Sequence, residues 1–284
     1  MKINEIIRNY AYPLSLKQML LSNISKILLL FSVLLLSSYS LSSQEVADTI
    51  AEKAEPAAVN TNSANYTDSA ATEKFKKVDK LVLAMKKRNK KVPILAKEIT
   101  DPFTSEEEKV RALFIWMTNN IGFDCVTYHN KKTPQANLSY KTPEELNDKL
   151  NKYYYNYSML VLRNKKGVAE GYSILFRELC KEVGIECQLV EGRASENKDK
   201  IKKLRRRNNF STNHTWNKVK INNAWYYVDV TWASGYCDKP VKRFFKKYNA
   251  YYFLTPEDKL YATHAENHRF TVRRNNPMED NRED

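Results

Sequence analysis

The sequence predicts an α+β fold in which N-terminal helices are followed by an antiparallel sheet. Up to Gly184 the apolar residues recur at helical spacing, and beyond it they occur in short alternating segments. Helices followed by strands are typical of α+β domains, whereas a regular alternation of the two is not. With 284 residues, 42% of them hydrophobic, the chain has enough apolar material for one well-formed core.

Four segments are predicted along the chain. Basic residues precede the apolar run at 27–36, which gives way to a serine-rich stretch, and this is the order of a secretory signal peptide. We therefore predict a cleavable signal peptide over residues 1–43, with secretion or a periplasmic or cell-surface location. Residues 44–72 lack an apolar period and are predicted to be a flexible linker. The folded domain is predicted over 73–274, followed by a disordered acidic tail over 275–284.

Three segments carry the signals of helices. Thr104 followed by Glu107 forms a capping-box pattern, which predicts the start of one helix, and Thr142 followed by Glu145 repeats this signal further on. An earlier amphipathic helix is predicted from apolar residues at helical spacing among lysines: Phe75, Val78, Leu81, Val82 and Met85.

The most strongly patterned helix is predicted to begin at Val168 and to end at Gly184. Gly167 is expected to allow a tight entry, and Gly171 is expected to let another backbone approach the first turn. A helix N-terminus favours a thiolate over a thiol, so this turn suits a nucleophilic cysteine. The residue at position 169 is nevertheless an alanine. The apolar side of the predicted helix consists of Tyr172, Leu175, Phe176, Leu179 and Val183.

Strands are predicted at 185–192, 214–221 and 225–231. His214 opens the second of these strands, and Asp229 lies near the end of the third. If Asn222 and Asn223 form a two-residue hairpin turn, His214 and Asp229 are diagonal neighbours on one face of the sheet. A three-residue turn would place them on opposite faces, because side chains alternate along a strand.

Three ordered blocks of sequence resemble the core of the transglutaminase-like superfamily, whose members have the papain-like cysteine enzyme fold. The blocks lie at 167–172 (GVAEGY), 214–217 (HTWN) and 225–232 (WYYVDVTW). Segments at 107–124 and 252–256, together with His264, resemble the bacterial kyphoscoliosis-peptidase-like branch. The family's cysteine, histidine and aspartate map to Ala169, His214 and Asp229.

This resemblance implies acyl transfer, in which the cysteine attacks a carbonyl, the histidine exchanges a proton and the aspartate orients the imidazole. Ala169 cannot form a thioester, so we expect no chemistry of this type and regard His214 and Asp229 as a vestigial pair. The leading interpretation is a catalytically inactive binding or scaffolding module that acts on protein or glycan at the cell surface or in the periplasm. The alternative is an active acyltransferase or peptidase that uses Cys125 as a relocated nucleophile.

Charge and cysteine content bear on partners and cofactors. Lys and Arg number 47 against 33 Asp and Glu, and the basic segment from Lys200 to Arg207 is a candidate contact for an anionic glycan; protein or peptide partners are also expected. Nucleic acid is disfavoured because no recognised binding module accompanies the charge. Membrane contact is expected only through an uncleaved signal anchor.

No cofactor or metal site is predicted. After export the four cysteines can form disulfide bonds, for which three connectivities are possible. The cysteines are Cys125, Cys180, Cys187 and Cys237.

Overall fold

The structure, a computed structural model, describes residues 68–86, 91–131, 133–134, 139–207 and 210–268. The predicted signal peptide, most of the predicted linker and the predicted acidic tail lie outside these residues. The first described helix begins at Asp68, inside the segment that was predicted as linker. In the part of the chain that the structure describes, no helix is long and apolar enough to cross a membrane.

Among the described residues up to 182, helices dominate, and the helices and strands given below are those of the described residues. In chain order the helices are α1 Asp68–Ala84, α2 Val92–Thr100, α3 Glu106–Asn120, α4 Cys125–Asn130, α5 Pro143–Asn164, α6 Ala169–Glu182, α7 Lys198–Leu204, α8 Val230–Ser234 and α9 Glu257–Leu260. The strands are β1 Gly122–Phe123, β2 Lys166–Gly167, β3 Cys187–Ala194, β4 His214–Ile221, β5 Ala224–Val228, β6 Gly235–Cys237, β7 Phe244–Lys246 and β8 His264–Glu266.

The largest described sheet has the strand order β5-β4-β3-β8, with every neighbouring pair antiparallel. The predicted α+β class is therefore confirmed. The first predicted strand is shifted by two residues, to Cys187–Ala194, and the second is observed as predicted. The third ends at Val228, because Asp229 leaves the strand and caps α8.

The hairpin between β4 and β5 has the predicted two-residue turn. Ile221 pairs with Ala224 and Asn217 with Val228, so only Asn222 and Asn223 lie in the turn. Their φ angles are 49° and 64°, the left-handed values that a type I′ hairpin turn requires and that asparagine tolerates. The predicted register is confirmed.

Helix starts agree with the sequence signals, with one correction. Thr142 caps α5 as predicted, since its hydroxyl accepts a hydrogen bond from the Glu145 N–H at 3.3 Å. The cap of α3 is Ser105 rather than Thr104, and its Oγ accepts from the Glu108 N–H at 3.2 Å. Overlapping capping-box patterns begin at both residues, and the chain uses the second.

Helix α6 lies at the centre of the core, where it packs against α5, α2 and strand β4. Four of its five predicted apolar residues are buried and Val183 is partly buried, and Gly184 follows with a φ of +76°, a conformation that favours glycine. Gly171 makes room for side chains, because a Cβ there would lie 2.9 Å from Cγ2 of Val161 and 3.4 Å from the Tyr157 ring. Helix α5 therefore approaches through its side chains, whereas the sequence had predicted a backbone approach.

Helices α1 and α7 each bury apolar side chains and expose basic ones. Phe75, Val78 and Val82 of α1 are buried, as the helical spacing predicts, whereas Leu81 is 40% exposed. The basic segment from Lys200 to Arg207 lies in α7 and in the residues just after it. Ile201 anchors it in the core, while its basic side chains are exposed.

Candidate active site

Ala169 is the first residue of α6 and lines a cleft. The short parallel pairing of β1 with β2 positions this helix start, because Phe123 pairs with Gly167 and the Asp124 N–H donates to the Gly167 carbonyl at 2.9 Å. The first N–H groups of an α-helix have no partner within the helix, so this end of α6 carries partial positive charge. The sequence therefore places a methyl group at an electropositive helix start.

His214 lines the same cleft and is held by Asp229. Its Nε2 lies 2.6 Å from Oδ2 of Asp229, and both side chains are buried. Because a carboxylate only accepts hydrogen bonds, Nε2 of His214 carries the proton in this contact. In the neutral ring, Nδ1 then has a lone pair, so the imidazole is prepared to accept a proton there.

Asp229 owes its position to the end of β5. Its backbone N–H donates to the Tyr252 carbonyl at 3.0 Å, and its Oδ1 accepts from the Trp232 N–H at 3.0 Å as the cap of α8. The capping bond occupies one carboxylate oxygen and leaves the other for imidazole. The departure of Asp229 from the strand is therefore what orients its carboxylate.

A second histidine contacts the same carboxylate oxygen. Nε2 of His264, the first residue of β8, lies 3.1 Å from Oδ2 of Asp229, and the side chain is completely buried. Its Nδ1 lies 2.9 Å from the hydroxyl of Thr263. His264 thus donates from Nε2 to the carboxylate and accepts from the threonine. The sequence resemblance had included His264 but had not assigned it to the site.

The charge state of this cluster follows from burial and pairing. Burial opposes ionisation of Asp229, but the electrostatic contacts and hydrogen bonds with His214 and His264 outweigh it and lower the pKa of the carboxyl group. Burial lowers the pKa of His264, and the nearby His214 adds to this effect against the opposing contacts with Asp229. Asp229 is therefore the anion of the cluster and His264 its neutral donor.

Aromatic rings enclose the two imidazoles. The Trp216 ring stacks against His214 with centroids 5.9 Å apart, and Trp232 lies 4.8 Å from the His264 ring. Tyr252 contacts Trp232 at a centroid distance of 5.5 Å in an edge-to-face arrangement. These apolar walls limit water around the histidines, which strengthens the hydrogen bonds to Asp229.

Three other side chains have a nucleophilic atom that could substitute for a cysteine at 169, and each of them makes a contact elsewhere: Ser173, Cys180 and Cys125. Ser173 is buried, and its hydroxyl donates to the Thr215 carbonyl at 2.8 Å. Cys180 is fully buried in the core, and burial together with the neighbouring Cys187 raises the pKa of its thiol well above the usual value. Cys125 lies in the segment that follows β1, and its Sγ is 4.0 Å from the Sγ of Cys237.

The cleft has a volume of about 1240 Å³. Besides Ala169 and His214, its lining includes carboxylates at Glu170, Glu191 and Glu196. Aromatic side chains form much of the remaining wall: Phe123, Tyr128, Trp232, Tyr236, Phe244, Tyr248 and Tyr252. Aromatic walls with a few polar groups are typical of binding sites for small molecules and peptide segments.

By residue type, His214, Asp229 and His264 could hold a divalent metal ion. Their contacts of 2.6 and 3.1 Å are hydrogen-bond distances. They are shorter than the roughly 3.3 Å that separates ligand atoms placed tetrahedrally about 2.0–2.1 Å from zinc. The ring protons and the carboxylate oxygen satisfy one another, so the geometry is that of a hydrogen-bonded cluster.

Parts of the chain are similar to known proteins. Residues 93–230 match the model of the Transglutaminase-like superfamily, a range that includes Ala169, His214 and Asp229. Over 163 residues the chain is 30% identical to kyphoscoliosis peptidase of Mus musculus, covering 57% of this chain and 21% of that protein. Over 178 residues it is 25% identical to hillarin of Drosophila melanogaster, covering 60% of this chain and 18% of that protein.

The chain thus spans about a fifth of the length of these curated relatives. Among solved structures, a TGase shares 17% identity with a TM-score of 0.31, covering 66% of this chain and 37% of that chain. The family match and the two relatives support a transglutaminase-like core. His264 lies beyond the residues that the family model matches. The signal in the sequence that pointed to this histidine was the resemblance of the segment at 252–256, together with His264, to the kyphoscoliosis-peptidase-like branch.

Proposed function

We propose that this protein is an exported transglutaminase-like module that binds a protein or glycan partner at the cell surface or in the periplasm without catalysing acyl transfer. One observation carries the proposal: Ala169 begins α6 and lines the same cleft as His214. Covalent acyl transfer needs a nucleophile at this position, and a methyl group cannot attack a carbonyl. The cluster at Asp229 supplies a base and its orienting groups but no atom for the base to activate.

The cleft supports a binding role. Its volume and aromatic lining suit a peptide segment or sugar ring, and its carboxylates and lysines offer polar contacts at the rim. The basic segment adds a second surface, because Glu196 before it and Thr212 after it both line the cleft. We expect a partner seated in the cleft to extend towards the exposed cations of α7.

The central experiment is a transamidation assay with casein as acyl donor and a labelled primary amine as acceptor, run beside a peptide hydrolysis assay. We expect the wild-type protein to give no more product than the His214→Ala variant. Product formation by the wild type that is lost in Cys125→Ser and kept in Cys187→Ser would overturn the proposal. That result would favour an active enzyme that uses Cys125 as a relocated nucleophile.

The proposal that the protein is exported is tested by a separate measurement. We expect the protein recovered from the periplasm or medium to begin near residue 44, which N-terminal sequencing or intact mass determination reports. Retention of residues 1–43 on a cytoplasmic protein would contradict this part of the proposal. The transamidation and hydrolysis assays test catalysis independently of this result.

A further inference from the structure

Two cysteines meet beside the cleft. The Sγ atoms of Cys125 and Cys237 are 4.0 Å apart, although 112 positions separate the two residues in the chain. Cys125 is the first residue of α4, and Cys237 is the last residue of β6. Cys237 lines the cleft, whereas Cys125 is buried and is not among the lining residues.

A second contact joins the same two segments. Nε2 of His129, in α4, lies 2.8 Å from the carbonyl oxygen of Pro240 and 3.0 Å from that of Val241, in the loop between β6 and β7. The β6–β7 hairpin is thus held against α4 at two points near its loop, namely Cys237 and the backbone of Pro240 and Val241. Both segments contribute to the cleft, through Thr127 and Tyr128 on one side and the hairpin on the other.

We infer that Cys125 and Cys237 form a disulfide bond that fixes this rim of the cleft. The thiols are already in contact, and a covalent bond requires their sulfurs to approach by about 2 Å. The long chain segment between the two cysteines makes the bond effective in restricting the unfolded chain. The inference relies on the proposed function only for the oxidising compartment that export provides.

The bond forms by thiol–disulfide exchange with a small external disulfide such as oxidised glutathione. The thiolate of Cys237, the residue exposed to the cleft, attacks one sulfur of the external disulfide and releases one thiol. The thiolate of Cys125 then attacks the Cys237 sulfur of the mixed disulfide and releases the second thiol. Two protein thiols lose two electrons and two protons, and the external disulfide is reduced to two thiols.

The chemistry of the reduced pair favours a structural bridge. Burial, with a further contribution from the adjacent Cys125, raises the pKa of the Cys237 thiol. Strongly oxidising disulfides are those whose reduced thiolate is stabilised, and a raised thiol pKa gives the opposite situation. We therefore expect a bridge that resists reduction.

This pairing selects one of the three connectivities that the sequence left open. It leaves Cys180 and Cys187, whose thiols are close enough for Cys187 to raise the pKa of Cys180 in addition to the larger effect of burial. It also removes the thiol of Cys125 from reaction. In the oxidised protein the relocated nucleophile would then be absent along with the original one.

The test is disulfide mapping of the full chain. The reduced protein is equilibrated with a mixture of reduced and oxidised glutathione, alkylated, digested without reduction and analysed by mass spectrometry. We expect a linked peptide pair containing Cys125 and Cys237, and alkylation of both residues only after reduction. Alkylation of Cys125 and Cys237 in the equilibrated protein, a glutathione adduct alone, or a bridge from either residue to another cysteine would overturn the inference.

Matched variants separate this bridge from general thiol oxidation. Cys237→Ser should lose the linked pair and expose Cys125 to alkylation, whereas Cys187→Ser, which also replaces a partly buried thiol, should retain it. If Cys125 and Cys237 are free thiols in this experiment, the inferred bridge is wrong, but the expected absence of transamidation activity is not affected. Turnover in the transamidation assay would overturn the proposed function whether or not the bridge forms.

Discussion

Nε2 of His264 lies 3.1 Å from Oδ2 of Asp229, although the two residues are 35 positions apart in the chain. The contact gives the carboxylate a second, fully buried imidazole donor in addition to His214. A carboxylate held between two imidazoles and a helix N–H cannot rotate freely, so it fixes the orientation of His214. His264 is by this geometry a positioning residue of the cluster.

The cluster should make the protein less stable in acid. The pKa of His264 is lowered in the folded state, so as the pH falls below about 6.5 the unfolded chain takes up this proton first. The pKa of Asp229 is also lowered, so stability falls further below about pH 4. We expect the free energy of unfolding, measured by urea titration, to decrease from pH 7.5 to 5.

The variant His264→Gln should show a smaller decrease over this range. His268 provides a control of opposite sign, because the hydrogen bond that its imidazole donates to Glu266 raises its pKa. Its contribution is present below about pH 6.5 and is lost as the pH rises. His268→Gln should therefore steepen the decrease. Equal pH dependence in His264→Gln and wild type would show that His264 does not carry this effect.

Ala169→Cys should restore a reactive thiol. The new side chain would stand at the start of α6, where the helix dipole and unpaired N–H groups lower a thiol pKa, and it would share the cleft with His214. We expect its alkylation by iodoacetamide at pH 7 to be about tenfold faster than that of Ala194→Cys, which places a thiol in the same cleft on a strand.

The rate at each cysteine is read by mass spectrometry of labelled peptides. Adding His214→Ala should slow the labelling of residue 169 and leave the labelling of residue 194 unchanged. Equal rates for the two introduced cysteines would indicate that the helix start no longer activates a thiol. The same Ala169→Cys protein in the transamidation assay reports whether the rest of the site can still support turnover.

Gly192→Ala should disturb the strand that carries His264. A Cβ at this position would lie 2.0 Å from the Ala265 carbonyl oxygen and 2.6 Å from the Trp216 ring, so β8 or the ring must move. We expect a loss of about 2 kcal/mol in the free energy of unfolding, as for other overpacked sites. Gly122→Ala is the control, since its Cβ would meet its nearest neighbour at an ordinary 3.6 Å and should cost less than about 1 kcal/mol. Similar losses in the two variants would contradict the close approach of β8.

Arg111 should be a major contributor to stability. Its guanidinium is buried, donates to both carboxylate oxygens of Asp79 at 2.8 and 2.7 Å, and lies 4.7 Å from the Phe253 ring centroid. We expect Arg111→Met to lower the free energy of unfolding by about 3 kcal/mol, because it breaks a largely buried pair. Lys74→Met removes the exposed pair with Glu107 and should cost less than about 1 kcal/mol. A small effect of Arg111→Met in urea titration would show that the surrounding rings compensate.

The basic segment should bind anionic polysaccharide. We expect Arg206→Gln with Arg207→Gln to weaken binding to sulfated polysaccharide about tenfold, or roughly 1.4 kcal/mol, and added salt to weaken wild-type binding. Lys77→Gln with Lys80→Gln removes the same charge from α1, where both lysines are also exposed, and should have little effect. Equal losses in the two double variants, measured by surface plasmon resonance, would indicate attraction to the net charge alone.

Local patterns predicted much of the fold. The apolar spacing of α6, the cap of α5 at Thr142 and the turn at Asn222 and Asn223 depend on interactions between near neighbours in the chain, and each is observed. The end of β5 was mispredicted because the segment around Asp229 has strand-like composition. The carboxylate instead caps α8, and the hydrogen bond from the Asp229 N–H to the Tyr252 carbonyl holds the backbone in this conformation.

The sequence by itself determined that position 169 has no thiol and predicted that His214 and Asp229 lie close together across a hairpin. The first is a covalent fact, and the second follows from a two-residue turn and the alternation of side chains. Only the tertiary structure decided that His264 joins Asp229 and that Cys125 meets Cys237. Each of these contacts joins residues that are distant in the chain, so it depends on how separate elements pack, which no local pattern encodes.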